Sequence, residues 1–445
     1  MKQLFTIILA CFALAAQGKP NVILISADTL RADALGCYGQ RLDLTPNLDL
    51  LAAENIRAEY CVATCHWTKP THCSMFTGSY PSRHGCGPVD SLASVNYTMA
   101  EILKDHGYAT GASVGGTNVS SEWNMHQGFD FWVEADLAPF KPDLYKVRQE
   151  AYKWIKAHKE KPFFFFVHTF EPHACYNAPE PWFEMYCEPE YAGPVKLGYP
   201  KEDFNESWRK DNKVFVGETV TRDPNPTLDD IEYLRGRYYG EVKFVDSFLI
   251  GGMVQFLKEE RLWENTLLIF VSDHGENFGE RNLFDHHQHL HAELTNVPLI
   301  IKLPGEREPA TIQEAVSQTD ILPTVLDVLG IRSSLEFDGV SIIRPLPKER
   351  IVLTETIYYK GATSRRWKAL HHHPKDIWSF YNLLDDPSEN NPMNDCPNAE
   401  QLKMAIQHYA FRNPSKWNSE IEAREPDEIS EGMLQRLRDM GYISN

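Results

Sequence analysis

Two short apolar runs constrain the fold of this chain more than any other feature. Pro20-Asn-Val-Ile-Leu-Ile-Ser-Ala-Asp28 and Thr266-Leu-Leu-Ile-Phe-Val-Ser-Asp273 are rich in branched residues, and each stops on a carboxylate. A run that is apolar at successive positions reads as a strand buried on both faces, and such strands belong to parallel sheets covered by helices. A carboxylate at its C-terminal end lies at the sheet edge where open α/β folds place their ligands. Gly107-Tyr-Ala-Thr-Gly-Ala-Ser-Val, Phe163-Phe-Phe-Phe-Val and Val297-Pro-Leu-Ile-Ile-Lys add further strands. Helical patterns fall between them: Leu44 to Glu54, Tyr97 to His106, Tyr145 to His158, a stripe from Ile231 to Phe256 at three- and four-residue steps, and Asp320 to Gly330. The alternation predicts a large doubly wound, mostly parallel α/β sheet flanked by helices.

The texture changes near residue 346. Ile351 to Glu355, Lys368 to His371 and Ser379 to Leu383 read as short antiparallel strands, and Glu400 to Phe411 and Ile429 to Met440 as helices. The expected division is a signal peptide over 1–16, a catalytic α/β domain over 20–345 and a smaller C-terminal α+β subdomain over 346–445. The signal reading rests on Lys2, the apolar run Leu4 to Leu14 and the small-x-small site Ala13-Leu14-Ala15. It predicts export to a periplasm or the extracellular space, and no segment is long and apolar enough for a stable membrane span. Removal of that segment would leave eight of the nine cysteines, with Cys175 and Cys187 the first pair to test. Asn96, Asn118 and Asn205 head glycosylation sequons. A formal net charge of −18 argues against nucleic acid as a partner.

The chemistry centres on Trp67-Thr68-Lys69-Pro70-Thr71-His72. Pro70 suits the start of a helix, which places Thr68 just before it, with free backbone N–H groups and the positive dipole end facing a bound anion. A hydroxyl there becomes a nucleophile once its pKa is lowered. If the fold is doubly wound, Asp28 and Asp273-His274 reach the same sheet edge. Two carboxylates, one imidazole and the Thr68 hydroxyl make a site for one divalent cation, Ca²⁺ or Mn²⁺ first, with Mg²⁺ or Zn²⁺ also suited. His72, Lys69, His173 and the run His286-His287-Gln288-His289-Leu290-His291 supply groups to bind anionic oxygens or protonate a leaving group.

The order of these segments resembles the sulfatase branch of the alkaline phosphatase superfamily over roughly residues 20–390. The matching pieces are Asn21 to Gly39, Thr45-Pro-Asn-Leu-Asp, Thr77 to Gly85, Glu171-Pro-His173, Val271-Ser-Asp273-His274-Gly-Glu-Asn-Phe-Gly, Val297 to Ile301, Asp320-Ile-Leu-Pro-Thr and Tyr381 to Pro387. By that resemblance Asp28, Asp273 and His274 fall on metal-ligand positions. Thr68 falls on the nucleophile, where sulfatases carry a cysteine or serine matured to formylglycine. His173 matches a substrate-contacting histidine and His286 a polar group near the transferred anion, with Lys69, Asn118 and His287 as further substrate contacts.

The departures are chemical. Formylglycine needs Cys or Ser in a Cys/Ser-x-Pro-x-Arg frame, and this chain has Thr68-Lys-Pro-Thr-His72; oxidised threonine would be a ketone, so no formylglycine is expected. Cys65 and Cys73 have no proline two residues on. A Gly-Lys-Trp-His-like segment is replaced by Gly115-Gly-Thr-Asn118. The resulting expectation is an exported, metal-dependent hydrolase of sulfate or phosphate esters (phosphodiester or phosphonate monoester) with Thr68 as nucleophile, acting on a small-molecule or glycan ester. The alternatives are a catalytically silent protein that binds sulfated or phosphorylated glycans, and a two-metal phosphodiesterase recruiting Glu171 or His173. The oligomeric state has no signature in the sequence.

Overall fold

The computed structural model of the chain describes residues 18–87, 90–135, 144–174, 176–193, 214–216, 219–221, 227–286 and 289–412. Its main sheet is built from β1 (Asn21–Ala27), β2 (Ile56–Ala58), β3 (Ala109–Val114), β4 (Phe131–Glu134), β5 (Phe163–Thr169), β6 (Thr266–Ser272), β7 (Leu299–Lys302) and β8 (Ala310–Ile312). The spatial order is β8-β2-β7-β6-β1-β5-β3-β4. Only β7 runs against its neighbours; the other pairings are parallel. Reversal of β7 is not visible in its apolar pattern, because a strand buried on both faces looks alike in either direction.

Helices α1 (Pro46–Glu54), α2 (Thr68–Thr77), α3 (Met99–Asp105), α4 (Leu144–His158), α5 (Leu228–Phe244) and α6 (Ile321–Val328) cover the sheet. Alternate residues of each strand divide between two cores. Ile23, Ile25, Phe163, Phe165, Leu268 and Phe270 pack with α1, α4 and α5, whereas Val22, Leu24, Phe164, Phe166, Leu267 and Ile269 pack with α2, α3 and α6. Each of the four consecutive phenylalanines is fully buried, contributing about 1.5–3 kcal/mol apiece. The stripe predicted from Ile231 to Phe256 runs through α5, a widened π-helical stretch Val245–Gly251 and a further helix to Glu259.

Register fixes the site. Ala27 pairs with Thr169 on one side and Ser272 on the other, so Asp28 and Asp273 leave the sheet side by side. The Asp273 N–H still donates to the Ala27 carbonyl at 3.3 Å and the Asp28 N–H to Thr169 at 3.0 Å.

The C-terminal strands β9 (Val352–Glu355), β10 (Tyr359–Thr363), β11 (Trp367–His372) and β12 (Ile377–Asn382) form an antiparallel meander. Against it packs α7 (Ala399–Arg412), through Leu402 and Ile406. The sequence hides β10 because Tyr-Lys-Gly-Ala-Thr lacks an apolar run. A fully buried ion pair locks this sheet: Lys368 Nζ donates to Glu389 Oε1 at 2.8 Å and to Thr295 Oγ1 at 3.1 Å. Lys368→Met strands the Glu389 carboxylate without its partner. The expected loss is about 3–5 kcal/mol, read as a lower denaturation midpoint; an unchanged midpoint would show that Glu389 is neutral or solvated.

Several expectations fall on residues outside those described: the signal peptide, Cys175, the Asn205 sequon, His287 and the helix over 429–440. Among the described residues Cys37, Cys61, Cys65, Cys73, Cys86, Cys187 and Cys396 are free thiols. No described helix is long and apolar enough to cross a membrane. The Asn118 side chain, which heads a sequon, is buried.

Candidate active site

Helix α2 begins two residues earlier than Pro70 suggests. Trp67, in extended conformation, is its N-cap, and Thr68 is the first helical residue. Pro70 then sits at the third position, where its missing N–H still leaves no helical bond unmade. No side-chain cap hydrogen bond forms at this end, and the N–H groups of its first turn have no partner within the helix. Gly78 closes the other end at φ +65°, its N–H reaching the Ser74 carbonyl at 2.9 Å.

Thr68 Oγ1 lies 3.3 Å from His274 Nε2. His274 Nδ1 lies 3.0 Å from the Gly275 carbonyl, which can only accept, so Nδ1 carries the proton and Nε2 presents a lone pair. Asp28 Oδ1 and Asp273 Oδ2 each lie 3.6 Å from that lone pair, and neither oxygen has a hydrogen-bond partner. Asp273 Oδ1, by contrast, accepts the Thr29 N–H at 3.1 Å and the His274 N–H at 2.7 Å, which fixes the direction of Oδ2. Buried acceptors converging with no donor between them are unfavourable unless a cation joins them. Burial, reinforced by the Asp273 charge, holds Asp28 well above the carboxylate range; burial lifts Asp273 to about 7 and pushes His274 well below its ordinary value. The donor set of two carboxylates, a neutral imidazole and a hydroxyl fits a divalent cation.

A cationic group stands beside this hole. His286 Nδ1 lies 2.8 Å from Asp285 Oδ1 and 3.3 Å from Glu276 Oε1. Burial opposes its charge, but these two carboxylates outweigh burial and keep His286 protonated well above the usual imidazole range. Its ring centroid is 4.5 Å from that of His274 and 5.2 Å from that of His173. His173 is oriented by the Ala174 carbonyl, 2.7 Å from Nδ1.

Of the remaining predicted residues, His72 borders the cluster, its Nδ1 3.9 Å from Asp273 Oδ2. His72 is fully buried and both its nitrogens are committed: Nδ1 donates to the Thr68 carbonyl at 2.7 Å and Nε2 accepts from Ser26 Oγ at 3.0 Å. That geometry makes it a brace between α2 and β1 rather than a proton donor toward Thr68. Lys69 Nζ rests 3.1 Å from the Trp123 ring centroid and has no hydrogen bond; burial lowers its pKa to about 8. Asn118 Oδ1 is likewise buried and unpartnered. Sequence reasoning missed Glu276, Asp285 and His168. The first two sit two residues beyond His274 and one before His286, and a lone His ending a phenylalanine run was a readable signal.

The mostly parallel sheet carries Asp28 and Asp273 at the C-terminal ends of adjacent strands. The sulfatase family model matches residues 20–331, and the model of the N-sulphoglucosamine sulphohydrolase C-terminal region matches residues 279–413. The chain belongs to the sulfatase family. It is 28% identical to the uncharacterized sulfatase YidJ of Escherichia coli over 73% of this chain and 71% of that one. The structure of BT4656 in complex with its substrate D-glucosamine-2-N,6-O-disulfate superimposes with a TM-score of 0.70, at 19% identity over 89% of this chain and 99% of that one. The phosphonate monoester hydrolase of Agrobacterium radiobacter shares the fold at a TM-score of 0.66 and 19% identity, over 95% and 96% of the two chains.

Proposed function

We propose that this chain is an exported, metal-dependent hydrolase of monoanionic sulfate or phosphate esters with Thr68 as nucleophile. The catalytic unit is residues 20–345, and residues 346–445 form the appended subdomain. The observation that carries the reading is the placement of Thr68 Oγ1 at an uncapped helix N-terminus, 3.3 Å from His274 Nε2, which one unpartnered oxygen of Asp28 and one of Asp273 also face. Asp28, Asp273, His274 and Thr68 would hold the cation, which supplies Lewis-acid polarisation of the ester and lowers the Thr68 hydroxyl pKa.

The chain's own groups do the rest. Thr68 loses its hydroxyl proton to solvent water, Thr68 Oγ forms a bond to sulfur or phosphorus, and the bond to the leaving alcohol oxygen breaks in line. The helix N–H groups of α2 bind the non-bridging oxygens. His286, protonated between Asp285 and Glu276, gives its proton to the departing oxygen, and His173 borders the same space. Water then hydrolyses the threonine ester. Lys69 Nζ offers an unpartnered donor to the anionic group, and Asn118 Oδ1 an unpartnered acceptor to a hydroxyl or N–H of the organic part.

A plain alcohol nucleophile favours phosphodiesters and phosphonate monoesters, while the sulfated amino sugar bound by BT4656 favours a carbohydrate sulfate. Matched aryl sulfate, phosphodiester and phosphonate monoester substrates separate them, each assayed before and after chelation. Turnover of at least one class, abolished by chelation and restored by Mn²⁺ or Ca²⁺, is the expected result. No turnover of any of the three classes would turn the assignment toward glycan binding without catalysis.

A further inference from the structure

Strand β5 is apolar from Phe163 to Val167 and then buries an imidazole completely: His168, paired with Ser26 of β1. Burying such a ring costs stability unless a polar partner uses it. Neither ring nitrogen makes a hydrogen bond of good geometry, but Nε2 lies 3.7 Å from Asp28 Oδ2. The other oxygen of that carboxylate, Oδ1, lies 3.6 Å from His274 Nε2. Asp28 therefore stands between two imidazoles, one on each oxygen.

The two imidazoles play different parts. His274 offers a lone pair, because its proton is held at Nδ1 against the Gly275 carbonyl, so it and Oδ1 can only share a cation. His168 lies across the carboxylate, outside the group of atoms that converge on that cation hole. It cannot join the same ion, but an N–H at its Nε2 can donate to Oδ2. Its ring is held edge-on to His72 at 4.6 Å and 79°. His72 is itself fixed by the Thr68 carbonyl and the Ser26 hydroxyl. The Asp28 carboxylate and the first turn of α2 thus rest on one buried histidine pair.

We propose that His168 is a positioning residue for the cation site: its Nε2–H faces Asp28 Oδ2 from 3.7 Å and by that attraction keeps Oδ1 aimed at the ion. This rests on the cation site assigned above. A hydrogen-bond partner behind a ligating carboxylate is worth about 10–100-fold in metal affinity.

The test is calorimetric titration of Mn²⁺ into the chelator-treated full chain, so it needs no substrate. His168→Gln carries an amide N–H where Nε2 stands, His168→Asn carries one too short to reach Asp28, and His168→Leu carries none. The expected result is affinity within a few-fold of wild type for Gln and a loss of about 10–100-fold for Asn and Leu. Wild-type affinity in His168→Leu, or equal weakening in Gln and Asn, overturns the assignment and leaves His168 a packing residue. Should Leu fail to fold, the Gln–Asn contrast decides alone. Failure of wild type to bind any divalent cation sinks the cation site itself, a different outcome from a site that binds but ignores His168.

Discussion

Thr68→Ala should abolish turnover, with a loss in kcat of about 10⁴-fold or more, because removing a covalent nucleophile leaves only binding and charge stabilisation. The substitution is close to neutral for the fold. The Thr68 side chain makes no capping bond to its helix, its hydroxyl contacts His274 Nε2, and alanine is a better helix former than threonine. Melting of the metal-free protein should therefore stay near wild type while catalysis disappears. Metal affinity should fall less than it does on loss of a carboxylate, since the hydroxyl is one neutral donor beside two charged ones. Acid-quenched wild type should carry a sulfo or phospho group on the peptide holding Thr68, and the mutant should not. Residual turnover in Thr68→Ala near the wild-type rate would remove threonine from the chemistry and make His173 or a bound water the place to look.

The residues that carry this reading were legible to different degrees, for physical reasons. Asp28 and Asp273 could be found because an uninterrupted apolar run announces a strand buried on both faces, and its end is then a defined place. His72 was visible only as a histidine in the right segment. Its role follows from helix geometry: four residues after Thr68, it lies one turn along, where Nδ1 reaches the Thr68 carbonyl at 2.7 Å and the ring points into the core. The protonated state of His286 was not readable at all. It depends on Asp285, whose backbone sits at φ +68°, and on Glu276, brought within 3.3 Å by the short antiparallel pairing of Asn277–Phe278 with Phe284–Asp285. The helix start was misplaced by two positions, at Pro70 rather than Thr68, because proline is tolerated throughout the first turn.

Asp273→Asn should separate the cation site from the fold, through effects of opposite sign. Asparagine keeps an Oδ1 that can accept the Thr29 and His274 N–H groups, now bonded at 3.1 and 2.7 Å. Its amide N–H₂ replaces Oδ2, facing the His274 lone pair from 3.6 Å, so a repelling contact becomes a donating one. One of two buried like charges is also gone, and the Asp273 charge is a cause of the raised Asp28 pKa. The metal-free variant should thus be at least as stable as wild type. With metal the order reverses: a cation at 100 times its Kd stabilises wild type by about 2.7 kcal/mol, and the variant should gain almost none of it. Activity should fall with occupancy, by the several kcal/mol that a Lewis acid contributes. Thermal melts with and without Mn²⁺, beside metal counting, read both arms. A wild-type metal response in the variant would remove Asp273 from the shell, and a destabilised metal-free variant would make it structural. The count also bears on a two-cation arrangement. Glu276, Asp285 and His286 form a second cluster of ligand type, yet the 2.8 Å contact of Asp285 with His286 Nδ1 is already satisfied by a proton. One ion per wild-type chain and none in Asp273→Asn is therefore the expected stoichiometry, whereas an ion that survives the substitution would place a second cation at that cluster or at His289, His291 and Glu293.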